Sequence, residues 1–440
     1  MVLRSRFGVR LVLLVGMTLC AVPLPTAQAV TTLFVSSTAG SDMNLCTSGS
    51  PCQTIGHAIS VAGAGDTINV AAGSYTTPSE SFPLTIGQSL TITGAGANST
   101  VIDAKQTDRV ISVTGTADLN ISGVAIQGGT APGITNGGGI VDNSPGTLTL
   151  TDCIVTGNKA DSGGGIAEEG GGIVNLTTCT VSSNKADDNG GGIVEDGGGT
   201  VNLDSCTLNG NTSTIDGGGI AEEGGGTVNL INCTLSGNSS VGSGGGMTFG
   251  GGIAGDGGGT INANNTTISN NRATTGGGIA NNSGDAVNLA NTIVAENTQG
   301  GDCTGSITSN GHNLDSDGTC GLNAGLGDLI AKNPLLGPLQ LNAPGSTATE
   351  ALFVGSPAID AGNPGPSDGK GNHCEPTDER GVPRPVGPAC DIGAFEGQVT
   401  PPVIPSAAPA LGWPALLFTA VALAALGGRR GRYHRAGSPT

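Results

Sequence analysis

The sequence predicts an all-β fold, a right-handed parallel β-helix (solenoid) of roughly ten coils of about 27 residues, followed by one C-terminal apolar helix. Three observations carry that expectation. GGGIAEEGGGIVNLTTCTVSSN at 163–184 returns at 217–238 as GGGIAEEGGGTVNLINCTLSGN with 17 identities, and GGGIVEDGGGTVNLDSCTLNGN stands between them at 190–211. The step is 27 residues each time, and a fixed period of that size marks a repeat architecture. Glycine supplies 80 of 440 residues without a three-residue period, which excludes collagen and leaves a glycine-punctuated solenoid.

Within one repeat the apolar residues alternate over short runs: Ile193 after the triple glycine, then Val201 and Leu203, then Cys206 and Leu208. Three short strands per period follow. Because the same side chains return in every copy, each strand stacks in parallel on its homologue, ~4.8 Å away. One coil cannot bury its own apolar face, so repetition is first a folding device. An extra GGGMTF around Met247 lengthens one coil from 27 to 33 residues and predicts a loop bulging from the rod.

Repetition also predicts ladders. Asn158, Asn184, Asn211, Asn238, Asn271 and Asn297 recur after the third strand, where stacked amides can hydrogen-bond along the rod. Cys153, Cys179, Cys206 and Cys233 form a second ladder, continued by Val124, Thr266 and Thr292, which marks a small inward site. Parallel Cβ vectors at strand spacing suit disulfides poorly, so buried free thiols are favoured over ladder disulfides. The third ladder is acidic: Glu168 and Glu169, Glu195 and Asp196, Glu222 and Glu223, then Asp256. It is expected to be a solvated turn row, with calcium on Glu169, Asp196, Glu223 and Asp256 as the alternative that like-charge repulsion invites.

The first 29 residues have the layout of a secretory signal: Arg4, Arg6 and Arg10, an apolar stretch, then Ala27-Gln28-Ala29 as the cleavage site after Ala29. Export to an oxidising compartment makes disulfides the default for three closely spaced pairs, Cys46 with Cys52, Cys303 with Cys320, and Cys374 with Cys390. A net charge of −18 argues against nucleic acid or an anionic membrane surface as a partner. The solenoid with its N-terminal cap is placed at 30–330, terminal coils at 331–396, a Pro-rich linker at 397–410, an apolar anchor helix at 411–428 and a basic tail at 429–440. The 18 apolar residues before Arg429 are the short limit for crossing a bilayer and would hold the rod at the cell envelope.

Four resemblances to known families follow from particular stretches. LFVSSTAGSDMNLCTSGSPCQTIGHAISVAGAGDTINVAAGSYT at 33–76 resembles the opening coil of secreted right-handed β-helix proteins of the pectate-lyase-like superfamily. GGGI followed by C-T-V-x-x-N is similar to the repeat of polymorphic outer-membrane and adhesin-type proteins. DCTGSITSNGHNLDSDGTCGL at 302–322, SPAIDAG at 356–362 and TDERGVPRPVGPACDIGAFE at 377–396 are similar to the choice-of-anchor Q domain of bacterial surface proteins. The spacer, apolar run and arginine cluster resemble a PEP-CTERM or IPTL-CTERM sorting tail, although Pro-Glu-Pro itself is absent. The resemblance implies a surface-exposed β-helix and no particular activity, because this fold hosts lyases, hydrolases, adhesins and scaffolds alike.

Chemistry is sparse in the sequence. The rod offers Lys105, Arg109, Lys159, Lys185 and Arg272 as bases, none in a lyase motif, and Tyr75 as its one tyrosine. Arg380 and Arg384 are expected to brace the terminal coil by pairing with Asp360, Asp378 or Asp391. His312 lacks a nucleophile motif, and Asn313, Asp315, Asp317 and Gly318 copy only the first half of a calcium loop. Phe249, beside Asp256 and Arg272, is the nearest break in the repeat. The expected function is therefore a non-enzymatic surface scaffold or adhesin that meets a polysaccharide or a host or surface protein. The alternatives are a polysaccharide lyase or hydrolase of the pectate-lyase-like superfamily, and a calcium-stabilised binding protein.

Overall fold

The computed structural model describes residues 30–241, 250–282, 284–363, 365 and 372–399. The signal segment with Ala29, the Met247–Phe249 insertion, the apolar run at 411–428 and the basic tail lie outside the described residues.

The chain is a parallel β-helix built from three long sheets of eleven, ten and nine strands. Sheet 1 contains Thr200–Asp204, sheet 2 Thr207–Asn209 and sheet 3 Ile193–Glu195, so the three strands expected per repeat each supply one sheet. Stacking is in register: Val201 pairs with Val228, Leu208 with Leu235 and Ile193 with Ile220, each residue with its own homologue. Those columns are fully buried and form one core along the rod. A fourth sheet of four two-residue strands, among them Lys185–Ala186 and Thr212–Ser213, was not expected from the pattern. Two residues cannot show an alternation.

The helix Ile55–Val61 turns Ile55, Ala58 and Ile59 onto the first coils. Its N-terminal N–H groups are taken by side chains: Glu80 accepts from Ile55 and Gly56, and Thr54 accepts from His57. Val141, Ala167, Val194 and Ala221 point out of sheet 3, yet they are buried. The triple-glycine turn folds over them. Gly163, at φ 61°, lies so close to Val194 and Ala167 that a Cβ would strike both.

The segment 331–396, expected to add terminal coils, instead runs back along the flank of the rod over the outer face of sheet 2. Thr207 donates to Ala348 O at 2.7 Å with Glu379 Oε1 3.0 Å from the same hydroxyl, and Thr234 donates to Glu379 at 2.5 Å. Ser236 donates to Glu350 at 2.7 Å, and Ser269 reaches the same carboxylate. Near the end of the rod Gly393 N and Asn363 N both donate to Asn291. The physical reason is chemical: the outward residues of these coils are threonines and serines, whose hydroxyls satisfy carboxylates that burial would otherwise penalise. Arg380 pairs with Asp378 at 2.6 Å and lies 3.5 Å over the ring of Phe395. Arg384 pairs with Glu396 at 3.0 Å, a partner the sequence had not suggested. Both arginines brace the flanking segment.

The disulfides Cys46–Cys52, Cys303–Cys320 and Cys374–Cys390 are all formed. Among the described residues no helix is long and apolar enough to cross a membrane.

Candidate functional site

The outer face of sheet 1 is a polar track. Between inward Val201 and Leu203 sits Asn202, which must point outward by the two-residue period of a strand. Register places Asn175, Asn202, Asn229, Asn262 and Asn288 one above another on five consecutive coils. Thr149, Asn120, Thr91, Thr67 and Thr32 continue the row towards the N-terminus, and Thr308 continues it at the other end. Each amide donates to the one before it: Asn202 to Asn175 at 2.9 Å, Asn229 to Asn202 at 2.8 Å, Asn262 to Asn229 at 2.8 Å and Asn288 to Asn262 at 2.9 Å. The side chains are half-buried, and Asn202, Asn229 and Asn262 each keep one N–H and one lone pair to face a ligand, while Asn288 spends its second N–H on Ala286 O at 3.4 Å.

The flanking segment turns this face into a groove of about 340 Å³, lined by Asn202, Asn229, Asn262, Asn288, Asn310 and Glu375 among others. Glu375 is fixed as its wall by a hydrogen bond from Asn264 Nδ2 at 2.8 Å and by its own N–H to Asn265 at 2.9 Å. A neighbouring cavity of about 370 Å³ holds His373, Cys374, Arg384 and Cys390. The sequence carried the signal for the outward row, since V-N-L repeats in each copy, but only the inward alternation had been used.

The predicted ladders fall elsewhere. Asn158, Asn184, Asn211, Asn238, Asn271 and Asn297 are inside the turn after sheet 2, each Oδ1 from Asn184 onward accepting from the amide of the preceding coil. Asn297 closes the series on Asp302 at 2.8 Å. Cys153, Cys179, Cys206 and Cys233 are buried free thiols that donate to backbone carbonyls, as Cys206 does to Leu176 O at 3.4 Å. Burial pushes the Cys206 thiol well up, which keeps it protonated and unreactive.

The acidic ladder divides in two, which corrects its reading as a single solvated row. Glu168, Glu195 and Glu222 are fully buried, and each accepts the N–H of a turn glycine in its own coil, Gly172 at 2.9 Å, Gly199 at 2.6 Å and Gly226 at 2.8 Å. Glu169 and Glu223 are half-buried outside, and Asp196 and Asp256 are exposed. Burial, reinforced by Asp196, Asp188, Asp216 and Asp256, pushes Glu223 up to about 7. The four outer groups form a strip, one per coil, rather than a cage. Among the described residues the single trio of ligand atoms close enough for a metal is Cys46, Cys52 and His57, whose cysteines are a disulfide.

The bases are mostly engaged. Lys105 pairs with Asp103, Lys159 and Lys185 share Asp187, and Arg272 donates to Gln299 at 2.7 Å. His312 Nδ1 lies 2.9 Å from Ala361 O, and the Asp315 oxygens accept backbone N–H groups of Gly318, Cys320 and Ala331. Arg109 lines a cleft of about 370 Å³ with Thr135, Asn136, Asn143 and Glu169, and donates to Asn136 O at 2.7 Å, Thr135 at 3.2 Å and Gly137 O at 3.3 Å. Burial holds its guanidinium below the ordinary value, against the opposing pull of Asp108 and Glu169.

No family model matches the sequence, and comparison with curated proteins finds no match. Among solved structures the fold is similar to that of the crystal structure of pectate lyase Pel9A, with a TM-score of 0.50 over 84% of this chain and 97% of that one. The two sequences are 16% identical, so the likeness is one of fold: a pectate-lyase-like parallel β-helix.

Proposed function

We propose that this chain is an exported β-helix rod that binds a polysaccharide along the outer face of sheet 1 and does not cleave it. The observation that carries the proposal is the amide row opening into a groove whose far wall is Glu375. Hydroxyl-rich polymers are held by arrays of paired donors and acceptors, which aligned amides supply at every coil. Cleavage needs more. Elimination needs a base such as Lys or Arg, hydrolysis needs two carboxyl groups across the bond, and among the described residues those lining this groove include one carboxylate and no Lys or Arg. Three disulfides fit an oxidising compartment, and with the signal-like first 29 residues and the apolar tail they support a rod displayed at the cell envelope as an adhesin or scaffold. The test is a glycan array probed with the secreted protein, paired with an assay for new reducing ends. Binding without turnover supports the proposal, and absence of any bound glycan overturns it.

A second reading, a polysaccharide lyase, is favoured by Arg109. Its half-buried guanidinium faces Glu169 at the head of the outer acidic strip, on a fold shared with a pectate lyase. There Arg109 would take the proton beside a uronate carboxylate, and Glu169 with Asp196 would hold a cation such as calcium that offsets the substrate charge. Formation of unsaturated uronates from pectate, abolished by Arg109→Ala, would establish this reading. Pectate left intact with calcium present would reject it.

A further inference from the structure

We infer that the ligand of the sheet 1 groove is an uncharged, extended polysaccharide that is read at one sugar per coil. The inference rests on the groove being the binding site and names what fills it.

Spacing is the first argument. Successive coils advance ~4.8 Å, close to the length that one pyranose adds to an extended 1,4-linked chain. Asn175, Asn202, Asn229, Asn262 and Asn288 therefore present the same donor and acceptor to each sugar in turn, over five coils. The amides are also preset. Each is held by its neighbour at 2.8 to 2.9 Å, so binding does not have to freeze five free side chains.

Charge is the second. The row contains no ionisable group from Thr32 to Thr308, and among the described residues the one charged side chain at the groove wall is the acid Glu375. The chain as a whole carries −18. A polyuronate would meet repulsion from both and find no Lys or Arg among the lining residues to offset it. A neutral polymer meets neither penalty, and its hydroxyls match the N–H and lone pair left on Asn202, Asn229 and Asn262.

The experiment is calorimetric titration of the full secreted chain with neutral 1,4-linked oligosaccharides of two to eight sugars and with oligogalacturonates of equal length. Affinity for the neutral series should climb with each added sugar and level off at about five or six, the length of the amide row. Oligogalacturonates should bind at least tenfold more weakly. Asn229→Asp, which keeps shape and adds charge at the middle rung, should cost about tenfold or more for the neutral ligands, with the far-UV spectrum and melting temperature serving as the control on folding. Equal or tighter binding of oligogalacturonate, or affinity independent of length, overturns this inference while leaving polysaccharide binding in place. Failure of every glycan to bind overturns both.

Discussion

Glu195 lies beneath Gly226 of the next coil: its Oε2 accepts the Gly226 N–H at 3.1 Å and fills the space where a Cβ would stand. Glu222 stands in the same way to Gly259, accepting its N–H at 3.3 Å, and the Glu168 carboxyl fills the Cβ space of Gly199 without that hydrogen bond, so the G-G-G that follows each acidic doublet is a lid over a buried carboxyl group.

Gly226→Ala should therefore destabilise the rod by about 1–3 kcal/mol, the range for overpacking a filled site. Gly237→Ala is the contrast. Unlike Gly226 it has a positive φ, at 68°, but nothing lies within 4 Å of its Cβ position, so about 1–2 kcal/mol of left-handed strain is expected and no displacement of a partner. Urea denaturation of the two variants checks the order.

The buried row also sets a pH dependence. Burial, with Glu168 and Glu222 as neighbours, pushes Glu195 up to about 8 from an ordinary 4.5, and burial pushes Asp142 up to about 6. A carboxyl raised on folding contributes stability that is fully present below its unfolded value and is lost as pH rises through its folded value. The melting temperature should fall between about pH 5 and pH 8 on this account. Glu195→Gln should flatten that fall. A melting temperature that rises over the same interval in the parent protein would refute it.

Glu379 fastens the flanking segment to the rod through Thr207 and Thr234, and burial pushes its carboxyl well up. Glu379→Ala leaves the Thr234 hydroxyl without its acceptor, while Thr207 keeps Ala348 O, and should cost about 1–3 kcal/mol. Limited proteolysis should then cut within 331–396 before it cuts the coils.

Removing the Cys303–Cys320 crosslink, which closes a 17-residue separation at the end of the rod, should lower stability by about 3 kcal/mol. The Cys303→Ala/Cys320→Ala double variant, melted beside the parent, measures it.

The coils were legible because Ile193, Val201, Leu203 and Leu208 return at a fixed step, and a parallel stack is the one packing that buries all four columns. The acidic doublets were misjudged by treating Glu195 and Asp196 alike, although the period of a strand sends neighbours to opposite sides. The groove was half visible: Asn202 stood in plain alternation, but its wall comes from Glu375, 173 positions away, and no local pattern links them. The same holds for the flanking segment. Thr207, Thr234, Ser236 and Ser269 look like any solvent face until Glu350 and Glu379 are laid upon them.

Among the described residues the hydrogen bonds that fasten that segment to the coils fall at Thr207 or later, on Thr207, Thr234, Ser236, Thr267, Ser269 and Asn291 among others. The rod therefore has a counted end and an uncounted one. A coil duplicated or lost before Thr207 shifts the N-terminal cap along the axis and leaves every fastening in place. The same event between Thr234 and Asn291 parts residues that must meet Glu379, Glu350 and Gly393 together. The copy at 163–184 sits wholly on the tolerant side and the one at 190–211 reaches the first fastening at Thr207, so a coil gained or lost ahead of it would lengthen or shorten the molecule without parting the segment from the coils.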